Sequence, residues 1–289
     1  MNTLINSSQT GFLKGRYIGE NIRTICEVID YLNNEDKPGL IFFADFEKAF
    51  DSIDHDFIFK TLEYFNFGSS FINWIKLFYN DAQSCVVNNG HMSDFFKIER
   101  GVRQGCPLSP YLFLLTIEIL YKAVHNDPNI KGISLYNIEI KKTAFADDAT
   151  FMMDGSQNTF TNLINKIDKF GQISGLKLNS NKSVMLRSGS LKNSDQTFNT
   201  KKKFVWTSES ADTLGITFSN NKQSCHDLNL VPKIKEFCNC LNRWKKHNLS
   251  LIGKITVIKT FALPKLIYPL TVLETPSEEI INLINKSMF

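Results

Sequence analysis

Two adjacent carboxylates, Asp147 and Asp148, lie inside an otherwise apolar stretch that reads AFADDAT. Apolar residues precede and follow this stretch, and the pattern predicts two buried strands joined by a tight turn. Asp is common in turns, so one interpretation is an exposed turn with two solvated acids. The apolar neighbours favour another, because burying an unpaired carboxylate is costly and such a hairpin then needs a cation or a proton at its tip.

A third acid, Asp45, ends the near-continuous apolar run LIFFADF (40–46), which predicts a central strand. A strand that ends in Asp can lie beside a hairpin whose tip carries Asp-Asp, so we expect the three carboxylates to converge. Like charges repel at short range, and carboxylate oxygens suit hard cations such as Mg²⁺. The pattern therefore indicates a site for hard cations, and two Mg²⁺ ions about 3.5–4 Å apart can activate an attacking hydroxyl and stabilise a leaving pyrophosphate.

The composition is that of a folded chain with an uneven charge. Of 289 residues, 43% are hydrophobic and 24 are Phe, which predicts a sizeable core in one large or two small domains. No apolar run is long enough to predict a membrane span. Residues 1–149 carry 14 basic and 19 acidic side chains, whereas residues 150–289 carry 19 and 10. A polyanion partner would explain this asymmetry, and so would an ordinary solvated surface.

Six cysteines are scattered along the chain without a C-x-x-C pair. This usage predicts free thiols in a reducing compartment. Cys225 and His226 with Cys238 and Cys240 could be read as zinc ligands, but their spacing fits no usual zinc motif, so buried thiols are the favoured interpretation.

The periodicity of apolar residues predicts alternating helices and strands. Asp54 is a candidate N-cap, as are Ser69 or Ser70 and Ser109, and Gly175 is a candidate helix end. Helices are predicted over 19–32, 57–65, 71–78, 110–124, 160–170, 230–247, 250–263 and 276–287. Strands are predicted over 40–46, 84–88, 95–99, 133–143, 183–188 and 213–218.

Several motifs occur in a fixed order, and together they resemble one family. They are FADD (145–148), ADFEKAFDSID (44–54), RQGCPLSP (103–110), SGLKLNSNKS (174–183), SQTGFLKGRYIGENI (8–22), LGITF (214–218) and LSLIGKITVIKTFALPKLIY (249–268). FADD resembles the most diagnostic motif of reverse transcriptases. The full set, over nearly the whole chain, resembles the reverse transcriptase domain of non-LTR retrotransposons of the long interspersed element type.

The resemblance implies a right-hand polymerase of the α+β class, with an antiparallel palm sheet, partial fingers and a helical thumb-like C-terminal region. The implied division is partial fingers over 1–38, palm over 39–54 and 101–218, a fingers/palm connection over 55–100, and a truncated thumb-like region over 219–289.

The resemblance also implies roles for the acids. Asp45 and Asp147 would bind both Mg²⁺ ions, for which Mn²⁺ can substitute, and the backbone carbonyl of Phe46 would add a ligand. Asp148 would be a weaker ligand. Lys182 would be the general acid that protonates the pyrophosphate, with a surface lysine as the alternative.

Other residues would bind the nucleotide by the same resemblance. Phe50 looks like the steric gate, an aromatic ring that leaves no room for a ribose 2′-OH. Gln104 and Gly105 would lie at the nucleotide, and Arg103 at the template or a phosphate.

Basic residues at both ends of the chain are candidates for nucleic-acid binding. A solvated basic face is the alternative for the C-terminal ones, and the aliphatic residues Leu251, Ile252, Ile255, Ile258 and Leu263 among them are expected in the core. The candidates are Lys14, Arg16, Arg243, Lys245, Lys246 and Lys254.

The implied activity is RNA-directed DNA synthesis from an RNA template, a DNA primer or nicked target DNA, and dNTPs, with no membrane. Nuclear or cytoplasmic location in a ribonucleoprotein is expected, as is an endonuclease upstream in a full-length element, which this chain lacks. One alternative is a truncated or decayed fragment that binds nucleic acid without turnover. Another is an RNA-dependent RNA polymerase, against which Ala146 and Phe50 argue, because that class usually has Gly before Asp-Asp and accepts a 2′-OH.

Overall fold

The computed structural model describes residues 1–195, 197–198, 200, 202–276 and 278–288. Its α-helices are α1 (Ile18–Asn34), α2 (Ala49–Ser52), α3 (His55–Tyr64), α4 (Ser69–Tyr79), α5 (Ser109–His125), α6 (Gln157–Ser174), α7 (Lys222–Trp244), α8 (Leu251–Val257), α9 (Pro264–Val272) and α10 (Glu278–Met288). A 3₁₀ turn covers Gly189–Leu191, and a π-helical turn over Ile258–Ala262 joins α8 to α9.

The strands are mostly short, and five of them form the main sheet. They are β1 (Gly39–Ala44), β2 (Gln83–Ser84), β3 (Val87–Asn88), β4 (His91–Met92), β5 (Phe96–Lys97), β6 (Ile133–Leu135), β7 (Ile138–Ile140), β8 (Lys142–Phe145), β9 (Asp148–Met153), β10 (Val184–Ser188), β11 (Val205–Thr207), β12 (Ser210–Thr213) and β13 (Ile216–Ser219). The main sheet has the order β11-β10-β1-β9-β8. It is antiparallel except for the β10–β11 edge pair.

The central strand β1 is buried along its whole length, because both faces of the sheet are covered. Phe42 points into a cluster that also holds residues of α5 and α6. Its neighbour Phe43 points the other way, into a cluster with α1, β13 and the end of α9, and stacks on Phe218 with ring centroids 5.8 Å apart. Burying one such aromatic side chain contributes about 1.5–3 kcal/mol, so this two-sided core makes β1 a rigid base for whatever follows it.

Two helix boundaries agree with the sequence. The Asp54 carboxylate caps α3 by accepting a hydrogen bond from the backbone N–H of Phe57, at 3.2 Å. Gly175 ends α6 in the left-handed conformation, with a φ of 81°. Both predictions are confirmed.

Other local predictions were wrong. The run 133–143 is a hairpin of β6 and β7 followed by β8, because Tyr136 and Asn137 have φ values of 47° and 68° and reverse the chain. Helix α4 has Gly68 at its N-cap, and Ser109 lies inside α5 rather than capping it.

The C-terminal helices also differ from the prediction. Helix α9 begins at Pro264 and contains Pro269, and the sequence pattern did not predict it. Leu251, Ile252 and Ile255, expected in the core, are exposed. The predicted start of the last helix includes residue 277, which lies outside the described residues.

Among the described residues, no single helix has the length and apolar character needed to cross a membrane. One pair joined at a 47° bend, Leu251–Ala262 and Pro264–Val272, meets that description by length and composition only.

Candidate active site

The ends of two neighbouring strands bring the acidic residues together. Asp45 directly follows β1, and Asp148 is the first residue of β9. Because Ala44 pairs with Ala149 across these antiparallel strands, Asp45 and Asp148 leave the sheet at the same edge.

The third carboxylate lies in the turn between β8 and β9. Phe145 pairs with Asp148, which leaves Ala146 and Asp147 as a two-residue turn. Ala146 has a φ of 55°, a left-handed conformation that costs a residue with a Cβ about 1–2 kcal/mol. The turn is therefore held in a conformation that its sequence does not favour by itself.

The three carboxylates interact through their charges. Loss of surrounding solvent, together with the negative charge of Asp45, raises the pKa of Asp147. The side chain of Asp148 is partly open to solvent, yet its desolvation and the charges of Asp147 and Asp45 raise its pKa to about 6. Such a group of carboxylates fits a hard divalent cation, because a cation between the carboxylates would relieve this repulsion and the donors are all oxygen. Within the described residues, however, no three His, Cys, Asp or Glu side chains already surround a common metal position.

The backbone around Asp45 is fixed to the segment that carries Lys182. The amide of Asp45 donates to the Ser183 hydroxyl at 3.1 Å, and the amide of Asn179 donates to the Asp45 carbonyl at 2.8 Å. Phe46 is buried and bridges to Leu178. These contacts place the 177–183 segment along the site.

An open cavity of about 560 Å³ lies against Asp45 and Phe46. Exposed Lys182 lines it, which puts this predicted residue in the same cavity as Asp45, whereas Asp147 and Asp148 are not among the lining residues. Sequence reasoning missed three further basic lining residues, although all three lie within or beside motifs that it had singled out: Lys48, Arg100 and Lys177. The acids Asp45, Glu47 and Asp51 line the same cavity, and a lining of carboxylates together with four basic side chains suits a metal-bound polyphosphate.

Phe50 is half-buried and contacts two other aromatic rings. It stacks on Phe113 with centroids 4.4 Å apart and meets Phe12 edge-on at 6.3 Å. Phe12 in turn packs on Phe145, the residue before the two-residue turn, at 6.3 Å. The ring of Phe50 thus belongs to an aromatic group that reaches the acidic hairpin.

The 101–105 loop is hydrogen-bonded to Phe50 and Asp51. The amide of Val102 donates to the Phe50 carbonyl at 2.7 Å. Gln104 donates from its side chain to the Asp51 carboxylate at 3.2 Å, and it is exposed together with Arg103 and Gly105. Gly105 has a φ of 77° and open space where a Cβ would be, so the backbone there is accessible to a ligand.

Two N-terminal candidates have different environments. Lys14 is exposed. Arg16 is half-buried, and its guanidinium donates to the carbonyls of Gln9 at 2.6 Å and Ile5 at 2.9 Å, besides those of Asn2 and Asn6. The Arg16 guanidinium therefore holds the first residues of the chain together through their carbonyls, a role that the sequence pattern did not indicate.

The C-terminal candidates form a separate surface. All four are exposed, at the end of α7, just beyond it and in α8: Arg243, Lys245, Lys246 and Lys254. Lys245 and Lys254 line a cavity of about 620 Å³ together with Trp244. Trp244 stacks on Phe261 at 5.7 Å, which ties the end of α7 to the π-helical turn.

Comparison with known proteins identifies similar sequences. The model of the family "Reverse transcriptase (RNA-dependent DNA polymerase)" matches residues 1–218. An uncharacterized 149 kDa protein of transposon TX1 from Xenopus laevis is 26% identical over 99% of this chain and 22% of its own length. The Pol polyprotein of the retrotransposable element R2DM from Drosophila melanogaster is 31% identical over 62% of this chain and 17% of its own length. The chain thus spans about a fifth of the length of these relatives.

Solved structures share the fold. Telomerase from Candida albicans, in complex with a fragment of telomeric RNA, matches 97% of this chain and 51% of its own at 12% identity, with a TM-score of 0.53. Apo telomerase from Candida tropicalis matches 99% of this chain and 52% of its own at 12% identity, with a TM-score of 0.52. At such identity these matches establish the right-hand polymerase fold alone.

Proposed function

Because this chain belongs to the reverse transcriptase family, we propose that it is the RNA-directed DNA polymerase core of a non-LTR retrotransposon protein. The observation that supports this best is that Asp45, Asp147 and Asp148 come together at one edge of a rigid sheet, and that Asp45 also lines a cavity with four basic side chains. The substrates are an RNA template, a DNA primer or nicked target DNA, and a dNTP.

The carboxylates of Asp45 and Asp147 and the carbonyl of Phe46 would hold two Mg²⁺ or Mn²⁺ ions, with Asp148 as a weaker ligand. When bound, these ions supply Lewis-acid activation of the attacking hydroxyl and charge neutralisation on the leaving group. The family's general use of divalent ions and the all-oxygen donor set support this assignment.

In the reaction, the primer 3′ oxygen forms a bond to the α-phosphorus of the dNTP, and the bond from that phosphorus to the bridging oxygen of pyrophosphate breaks. The 3′ hydroxyl proton passes to solvent. The ammonium of Lys182, which lines the cavity beside Asp45, gives a proton to the departing pyrophosphate oxygen.

We assign selection of the nucleotide to Phe50 and to the 101–105 loop that is hydrogen-bonded to it. The clamped ring of Phe50 excludes a ribose 2′-OH, so dNTPs are favoured over rNTPs. Exposed Gln104 and Gly105 bind the nucleotide, and Arg103 reaches the template or a phosphate. Lys14 and the C-terminal basic surface bind the nucleic-acid backbone.

The domain assignment follows the same proposal. Residues 1–38 belong to the fingers, 39–54 and 101–218 to the palm, 55–100 connect fingers to palm, and 219–289 are thumb-like. Action as a ribonucleoprotein in the nucleus or cytoplasm is part of the proposal.

Primer extension on an RNA template with dNTPs and Mg²⁺ tests the function. We expect extension by the unaltered chain and its loss in Asp147→Asn, which removes one charge at nearly constant size. Asp56→Asn is the matched control, because Asp56 is an exposed acid in α3. Binding of RNA and DNA without extension would overturn the polymerase assignment, and equal extension by Asp147→Asn would overturn the assignment of the site.

A further inference from the structure

The segment 8–12, which we name the N-terminal strap, runs beside β8 on the approach to the acidic turn. The amide of Ala144 donates to the Ser8 carbonyl at 2.9 Å, and the amide of Thr10 donates to the Ala144 carbonyl at 2.9 Å. Gln9 therefore pairs with Ala144 as a single parallel bridge at the edge of the main sheet. The strap shields the last strand before Asp147 and Asp148.

Gln9 connects the strap to the turn itself. Its side-chain amide donates to the Ala146 carbonyl at 3.0 Å, and its side-chain oxygen accepts from the Ala146 amide at 2.8 Å. The same oxygen accepts from the Gly11 amide at 2.9 Å. Gln9 is fully buried, so these bonds form away from competing water.

Gly11 permits this close approach. A Cβ at Gly11 would lie 2.5 Å from the Ala146 nitrogen, a distance at which the backbone must shift. The strap therefore reaches the turn with its backbone, and a side chain at this position would separate the two.

The turn needs such support for two reasons. Ala146 has a left-handed φ of 55°, which alanine does not favour. The carboxylates that follow it also repel each other and Asp45, and this repulsion disfavours the arrangement of the turn. A side chain that satisfies both polar groups of the Ala146 backbone opposes both tendencies.

We propose that Gln9 is a positioning residue of the active site: by binding both backbone polar groups of Ala146, it sets the direction in which Asp147 and Asp148 point toward Asp45. Gln9 touches neither substrate nor metal in this role. Its effect on polymerisation rests on the proposed function, whereas its effect on divalent-ion binding can be measured separately.

The test uses Mn²⁺ as the probe. Binding to the full chain is measured by water proton relaxation, without nucleic acid or nucleotide, for the unaltered protein and for Gln9→Met. Met nearly keeps the shape of Gln but removes all three hydrogen bonds. We expect the Mn²⁺ dissociation constant to rise roughly tenfold or more, as for other residues that orient metal ligands.

Two further variants separate positioning from general stability. Thr10→Val removes from the same strap a buried hydroxyl that donates to Asn21 at 2.8 Å and lies 3.5 Å from the Ala144 carbonyl, but it alters neither Gln9 nor any hydrogen bond to Ala146. We expect its Mn²⁺ affinity to stay within roughly twofold of the unaltered protein. Gly11→Ala pushes the strap away from Ala146 without altering Gln9, and we expect it to weaken Mn²⁺ binding as Gln9→Met does. If Gln9→Met does not fold, Gly11→Ala decides the inference.

The outcomes distinguish this inference from the proposed function. Unchanged Mn²⁺ affinity in Gln9→Met, or an equal loss in Thr10→Val, would overturn the role of Gln9, whatever the activity. If the unaltered chain binds Mn²⁺ through Asp147 but extends no primer, the proposed function fails while the affinities still decide the role of Gln9. If the chain is active, we expect Gln9→Met to lower kcat with little change in the KM for dNTP. We also expect excess Mn²⁺ to restore part of the lost kcat.

Discussion

The ring of Phe50 lies nearly parallel to the ring of Phe113, with centroids 4.4 Å apart and planes inclined by 11°. Phe113 is fully buried in α5, whereas Phe50 is half-buried. One face of the Phe50 ring is therefore covered by the buried ring of Phe113, and Phe12 meets the Phe50 ring edge-on. Both contacts restrict rotation of the Phe50 ring, which the proposed function places beside the sugar of the nucleotide.

This relationship predicts the sugar selectivity of the proposed polymerase. We expect Phe50→Val to raise kcat/KM for rNTPs relative to dNTPs by roughly tenfold or more, because the smaller side chain leaves room for the 2′-OH. Single-nucleotide extension with each substrate measures the ratio. Phe151→Leu is the control, since it alters a fully buried ring on β9, and an equal change in its ratio would contradict the role of Phe50.

The acidic cluster predicts a pH-dependent stability of the metal-free protein. The pKa of Asp148 rises from 3.8 to about 6 on folding, so the carboxyl gives up its proton more readily in the unfolded chain. The stabilising contribution of the Asp148 carboxyl is fully present below about pH 4. It is lost as the pH rises through about 6, where the folded protein releases this proton. We therefore expect Asp148→Asn to match the unaltered protein near pH 4 and to exceed its free energy of unfolding at pH 7. Urea unfolding at several pH values measures this, and a pH-independent difference would contradict it. Saturating Mg²⁺ should reduce the difference at pH 7.

Gly175 predicts a measurable steric cost. It has a φ of 81°, and a Cβ there would lie 2.4 Å from the Ser52 carbonyl oxygen at the end of α2. We expect Gly175→Ala to lower the free energy of unfolding by about 2–4 kcal/mol, from backbone strain together with this clash. Gly15→Ala is a matched control, because Gly15 has a φ of 82° but open space around it, and only about 1–2 kcal/mol of conformational strain is expected. Denaturant unfolding of both variants tests the difference, and equal losses would contradict the clash.

The C-terminal basic surface predicts a salt-dependent affinity for nucleic acid. We expect Lys245→Gln with Lys254→Gln to weaken binding of an RNA–DNA duplex and to reduce the slope of log K against log salt by roughly 1–2. The control is Lys233→Gln with Lys265→Gln, which removes the same charge from two lysines that pair with Glu236 at 3.0 and 3.7 Å. Fluorescence anisotropy over a salt series compares the two double variants, and identical slopes would contradict the assignment of this surface.

Features set by neighbouring residues were predictable from the sequence. Asp54 caps the helix that begins beside it, and Gly175 ends α6, because both effects depend on backbone groups a few residues away. The strand that precedes Asp45 was also predictable, since a short run that is apolar at every position is typical of a strand buried on both faces.

Features set by distant residues were not predictable. Leu251 and Ile252 are apolar and lie on a helix, yet they are exposed, because periodicity shows which residues share a face and does not show what covers it. Arg16 is basic, but its partners are backbone carbonyls that only the folded N-terminus brings near it. The hairpin at Tyr136 and Asn137 was missed because alternation of apolar residues continues through it.

The sequence by itself determined the family and the order of the motifs and singled out the three acids as candidates, since these depend on residue types and their spacing along the chain. The tertiary structure decided how the acids are held. Gln9 lies 137 residues from Ala146, and no pattern of local propensity predicts that its amide would bind both backbone polar groups of the turn. The strap lies there because β8 is an edge strand, and the backbone of Ser8 and Thr10 pairs with Ala144 of β8, which brings Gln9 beside the turn.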